Sequence, residues 1–257
     1  MTSASVLYAL QDRIATLTLN RPAVKNALNK TMRRELLAAL RQGAQEARVI
    51  VVTGSGNAFC SGQDLAEVDL DQPAVLARIL EEEYSPILQA IYESPVPVLA
   101  AVNGAAVGAG ANIALACDIV IAAHSAVFIQ AFARIGLIPD AGGTYWLPRQ
   151  IGFARAMGAA MLAEPVSAQQ AENWGMIWQS VADEKLNEVA AARAGQLAAG
   201  PGLALALIKR GLRASFDNRL DAQLALEAEL QGRALDSDDF REGAAAFLAK
   251  RTPRFKH

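Results

Sequence analysis

Three short apolar runs constrain this chain most: residues 48–53 (RVIVVT, followed by Gly54), 98–102 (VLAAV) and 118–122 (DIVIA). A strand with one wet face alternates apolar with polar residues. These runs are almost continuously apolar, which is the pattern of parallel strands covered on both faces. Parallel neighbours require a long crossover, usually a helix. Residues 29–47 supply one, with Met32, Leu36, Leu37 and Leu40 at helical spacing, and the charged stretch 69–83 leads into another that runs to Glu93, where Pro95 and Pro97 stop it.

Strand, helix, strand is thus the recurring unit. No strict sequence period accompanies it, so it reads as successive turns of one α/β architecture rather than as separate domains. Ahead of it, residues 5–19 (SVLYALQDRIATLTL) are two apolar runs split by Gln11-Asp12, a hairpin signature. Residues 54–62 and 104–110 read as glycine turns, with a helix starting near Gln63-Asp64-Leu65 and another over 111–116. From Trp146 the chain is expected to be helical, over 152–162, 167–174, 183–199, 203–215, 220–234 and 238–251. The apolar faces around 244–248 would stay exposed in a monomer, which points to self-association.

Composition removes several function classes. With 53% hydrophobic and 19% charged residues in 257, the chain suits one large globular domain or a domain with an appendage. A net charge of −2 and no basic cluster beyond the tail 250–256 give no electrostatic footprint for nucleic acid. The apolar stretch 96–116 is broken by Asn103, Asn112 and glycines, which reads as buried strand and helix rather than a membrane span. The N-terminal segment lacks the basic and apolar regions of a secretory signal, so the expected location is cytoplasmic. Cys60 and Cys117 read as small core hydrophobes, and the two cysteines and two histidines have none of the close spacings of a metal site.

The candidate chemistry lies in residues 98–144, two glycine turns among apolar runs with one carboxylate, Asp140, ahead of a Gly-Gly pair. Apolar surroundings desolvate a carboxylate and raise its pKa, which suits a general base. An aspartate before Ala-Gly-Gly-Thr can equally cap a helix, and that alternative stays open. Asp64 fits a cap and Asp118 opens a strand, so both read as structural. His124 and His257 have no paired acid or nucleophile and are left out of the chemistry. Phe128, Phe132, Tyr145 and Trp146 bracket Asp140 and read as packing, with some available to line an acyl site.

Five segments in order carry a family resemblance: NRPAVKNALN (20–29), FCSGQDL (59–65), VNGAAVGAGANIALACDIVIAA (102–123), GLIPDAGGTYWLPRQIG (136–152) and REGAAAFLAKRTPRF (241–255). Together they resemble the enoyl-CoA hydratase/isomerase (crotonase) family. Within it, GQDL, GAGA, FARIGLIPDAGGTYWLPR and AENWGMIWQ resemble the branch that isomerises the ring epoxide of 1,2-epoxyphenylacetyl-CoA in phenylacetate degradation.

The resemblance implies a spiral of ββα units with a helical C-terminal region: a core with the acyl-CoA site over 1–200 and a helical oligomerisation region over 201–257. It implies a homotrimer or hexamer, an acyl-CoA substrate, and no cofactor beyond the coenzyme A of that substrate. Carried over by position, the thioester oxygen would sit between the backbone N–H groups of Gln63 and Ala109, preorganised donors for an enolate oxyanion. Lys25, Ala27, Gly62, Asp64, Leu65, Gly110, Asn112 and Phe132 would line the substrate and coenzyme A. Hydratases of the family carry two glutamates where this chain has Asn112 and Phe132, so hydration is not expected. Asp140 matches the aspartate of the isomerase and dehalogenase branches. The implied reaction is one-base isomerisation; a hydrolase or dehalogenase with Asp140 as nucleophile and a non-catalytic CoA-binding scaffold are the alternatives.

Overall fold

A computed structural model describes residues 4–67 and 73–255. Strands β1 (Val6–Gln11) and β2 (Ile14–Leu19) form the expected antiparallel hairpin. Asn29 then caps α1 (Lys30–Glu46), its side chain accepting from the Met32 N–H at 2.9 Å. After α1 the chain makes three turns of a spiral. The first is β3 (Val49–Gly54), β4 (Ala58–Cys60), α2 (Pro73–Ile79), one π-helical turn (Leu80–Tyr84) and α3 (Ser85–Tyr92). The second is β5 (Val98–Val102), β6 (Ala105–Val107) and α4 (Ala109–Ala116). The third is β7 (Ile119–Ala123), β8 (Val127–Ile129), a 3-10 turn (Ala131–Ile135) and α5 (Gly143–Ile151).

Each turn adds one long strand to a large sheet and one short strand to a small one, a ββα unit. The large sheet runs β1-β2-β3-β5-β7 and ends on β10 (Gln179–Val181), parallel from β2 onward. The small sheet runs β4-β6-β8 and ends on β9 (Val166–Ser167). The continuous apolar runs are explained by burial on both faces. Ile50, Val52, Val98, Ala100, Val102, Val120 and Ala122 join one core, while Val49, Val51, Leu99, Ala101, Ile121 and Ala123 join the other, against helix residues Leu186, Ala190 and Ala194.

The spans 54–62 and 104–110, expected to be glycine turns, contain the strands β4 and β6, and β8 and β10 lie where no strand was expected. All four are three residues long, too short to show a period, and β4 and β6 are also partly built of alanine. Of the stretch 69–83, residues 69–72 lie outside the described residues, as does His257, and Pro73 onward is helical.

The rest is helical as expected: α6 (Phe153–Leu162), α7 (Ala168–Trp174), α8 (Leu186–Ala198), α9 (Gly202–Ala214), α10 (Leu220–Leu235) and α11 (Asp238–Leu248). Helix α9 is tied to the spiral by charge: Asp118 accepts from Lys209 at 2.8 Å and Arg213 at 2.6 Å, and from the Val98 N–H at 2.8 Å. The outer face of the last helices stays apolar, with Phe247 and Leu248 each 82% exposed. Among the described residues no helix is long and apolar enough to cross a membrane.

Candidate active site

Two turns at the edge of the small sheet come together through Gly62. Its φ is +87° and a Cβ there would stand 2.8 Å from the Val107 carbonyl, so only glycine lets the 61–64 turn lie against the 107–109 turn. Gln63 makes a parallel bridge with Leu28: the Leu28 N–H donates to Gly62 O at 2.8 Å and the Asp64 N–H to Leu28 O at 3.2 Å. In that pattern the Gln63 N–H points away from its partner strand. Ala109 opens α4, where the first N–H groups have no intrahelical acceptor and the helix dipole is positive. Two backbone donors therefore stand on adjoining turns, one beside a helix N-terminus.

The Gln63 turn is braced from below by its own side chain. Gln63 Oε1 accepts from Tyr84 Oη at 2.7 Å and from Arg33 Nη1 at 2.9 Å. Arg33 is itself buried, donating to the Leu28 carbonyl at 2.7 Å and pairing through Nε with Glu83 at 2.8 Å. Burial pushes the Tyr84 phenol up, and the nearby Cys60 and Asp140 add to the shift while Arg33 opposes it. Tyr84 thus bonds the donor turn and feels the charge of Asp140.

Asp140 does not cap a helix. The cap of α5 is Gly142, with no side-chain hydrogen bond. Its carboxyl Oδ1 is instead buried with no hydrogen-bond partner among the described residues, and desolvation alone pushes the group up to about 6. Its carbonyl accepts from the Gly143 N–H at 2.8 Å, closing a turn with positive φ at Ala141 (46°) and Gly142 (78°). An unpaired carboxyl in this setting is a base that is ionised at neutral pH yet not stabilised by any hydrogen bond at that oxygen.

The other expected positions divide. Lys25 is exposed in a left-handed turn and Leu65 is 57% exposed, both accessible to a ligand. Asp64 is structural, pairing with Arg21 at 2.8 Å and accepting from the Ala66 N–H at 3.2 Å. Ala27 is buried beside Asn26, whose side chain holds the carbonyls of Ser55, Ala58 and Phe59. Gly110 packs on Cys60, where a Cβ would come within 2.5 Å of the Cys60 carbonyl. Phe132 is buried with its ring over Gly108. Asn112 is fully buried with both ends of its amide bonded to protein.

Phe128 is core, whereas Tyr145 and Trp146 stack edge to face at 4.7 Å and Trp146 also meets Tyr92 at 5.9 Å. Arg33, Tyr84 and Gln130 were not foreseen. Only Arg33 left a trace in the sequence, as a cation on the inward stripe of α1 between Met32 and Leu36.

Comparison with known proteins agrees with this architecture. Residues 9–257 match the family described as Enoyl-CoA hydratase/isomerase. The chain is 56% identical to the Rhodobacter capsulatus protein named "Probable enoyl-CoA hydratase", covering 99% of both chains. It is 47% identical to the 1,2-epoxyphenylacetyl-CoA isomerase of Escherichia coli, covering 97% of both. The crystal structure of an enoyl-CoA hydratase from Polaromonas sp. JS666 superposes with a TM-score of 0.93 at 36% identity, covering 98% of this chain and 99% of that one.

Proposed function

Since the chain belongs to the enoyl-CoA hydratase/isomerase family, whose members act on coenzyme A thioesters, we propose that its own reaction is a one-base isomerisation. The substrate in this reading is 1,2-epoxyphenylacetyl-CoA, with 3-enoyl-CoA thioesters as a second class. The observation that carries it is the state of Asp140: a carboxyl with one buried, unpaired oxygen and a pKa raised to about 6. The absence of an acid at Asn112 and Phe132, where the family's hydratases have glutamates, supports isomerisation over hydration.

In this mechanism Asp140 removes a proton from the carbon alpha to the thioester. The charge moves to the thioester oxygen, where the N–H groups of Gln63 and Ala109 stabilise it; one such donor contributes about 2.7–4 kcal/mol in other oxyanion holes. The enolate electrons open the epoxide, the ring expands toward the seven-membered oxepin, and Asp140 returns the proton at another carbon. With a 3-enoyl thioester the same two proton transfers bring the double bond into conjugation. Coenzyme A is part of the substrate, and in this reading it meets Lys25 and Leu65, both exposed.

The test compares the 47% identical isomerase's substrate with the hydratase alternative. Purified protein is incubated separately with 1,2-epoxyphenylacetyl-CoA, a 3-enoyl-CoA and a 2-enoyl-CoA. Isomers from the first two and no 3-hydroxyacyl-CoA from the third are expected; rapid hydration of the third overturns the reading.

A further inference from the structure

Asn112 has no free hydrogen-bonding end. Its Nδ2 donates to the Asp140 carbonyl at 2.7 Å and its Oδ1 accepts from the buried Gln130 Nε2 at 2.8 Å. The orientation is fixed by chemistry. A carbonyl oxygen only accepts, so the atom facing Asp140 must be the amide nitrogen, and the oxygen must then face a donor.

The turn that Asn112 grips needs holding. Positive φ at both Ala141 and Gly142 is the signature of a type I′ turn, which favours Gly, Asn or Asp at its centre and is strained by an alanine. One internal bond, Gly143 N–H to Asp140 O, closes it, and Asn112 adds the second bond to the same carbonyl. The fit is close: a Cβ at Gly143 would stand 2.5 Å from Asn112 Nδ2.

We propose that Asn112, oriented by Gln130, is a positioning residue that clamps the Asp140 turn and so aims the base at the thioester α-carbon. The inference rests on the reading of Asp140 as the base. It also makes residue 112 intolerant of an ionised acid. A carboxylate there sets an acceptor against the Asp140 carbonyl, so the clamp opens where the acid is charged and closes where it is protonated.

Asn112→Ala, Asn112→Asp, Gln130→Met and Asp140→Asn are compared with wild type on a 3-enoyl-CoA and on 1,2-epoxyphenylacetyl-CoA, with folded protein quantified by circular dichroism. Asn112→Ala is expected to lower kcat on the order of 10²-fold, as a displaced base does, with KM within about threefold. Asn112→Asp should turn a profile that rises to a plateau into a bell. Its falling limb marks ionisation of the introduced carboxyl group, a signature that lost stability alone does not produce. If Asn112→Ala does not fold, Gln130→Met, which leaves Asn112 in place without its orienting donor, should still lower kcat with KM unchanged. Wild-type kcat and pH profile in the folded variants, with Asp140→Asn inactive, overturn the clamp and leave the base in place. Activity in Asp140→Asn, or no turnover of either probe by wild type, overturns the base and the clamp with it.

Discussion

At the scale of single residues, Asp140 trades stability for reactivity. Its pKa is raised from 3.8 to about 6 by desolvation, so the folded state holds its proton more tightly than the unfolded chain does. The sign follows: ionising Asp140 weakens the fold as pH rises from about 4 to about 6, and the penalty is complete above that window. Asp140→Asn is therefore expected to stabilise the protein by ~3 kcal/mol at pH 8 and to leave it unchanged near pH 3, as measured by urea unfolding at both values. The same ionisation governs the rate. In wild type kcat/KM should climb about tenfold per pH unit below about 6 and flatten above it. That an acid stood alone among apolar runs was legible in the sequence; that it caps nothing was not, because capping depends on the path of Ala141 and Gly142.

At the scale of elements, the donor turn is held by segments distant in sequence. Helix α1 supplies Arg33, the π-helical turn supplies Tyr84, and both meet the Gln63 side chain. Tyr84→Phe removes one hydrogen bond of about 1 kcal/mol, and steady-state kinetics should show a kcat loss of about fivefold with KM little changed. The tie between α9 and the spiral is more strongly coupled. Asp118→Ala strands Lys209, whose pKa burial already lowers, together with Arg213, and should lower stability by about 3 kcal/mol in chemical denaturation.

The long strands and helices were readable because their apolar periods extend over five or more residues, as in β3 and α1. Strands β4, β6 and β8 were not readable, since partnership across a sheet, not composition, makes Ala105–Val107 a strand. The bracing pair Arg33 and Tyr84 was hidden for the same reason: their contact with Gln63 spans 30 and 21 residues of sequence.

At the scale of the whole molecule, the fold was legible because both sheet faces are covered and that leaves continuous apolar runs. Assembly is the part still carried by surface alone. Phe247 and Leu248, each 82% exposed, and the exposed Leu212, Phe216 and Leu220 on α9, the segment after it and α10, leave apolar side chains on the surface that suit packing against further copies of the chain. We propose a trimer or a pair of trimers, and Phe247→Glu with Leu248→Glu should shift light-scattering mass toward the 27.2 kDa monomer.

The most direct measurement of the central claim is product formation by wild type and Asp140→Asn, each given a 3-enoyl-CoA, 1,2-epoxyphenylacetyl-CoA and a 2-enoyl-CoA. A one-base isomerase converts the first two thioesters, leaves the third unhydrated, and loses turnover on the order of 10³-fold in Asp140→Asn. Undiminished turnover in Asp140→Asn, or 3-hydroxyacyl-CoA forming from the 2-enoyl thioester faster than either isomer forms, contradicts it.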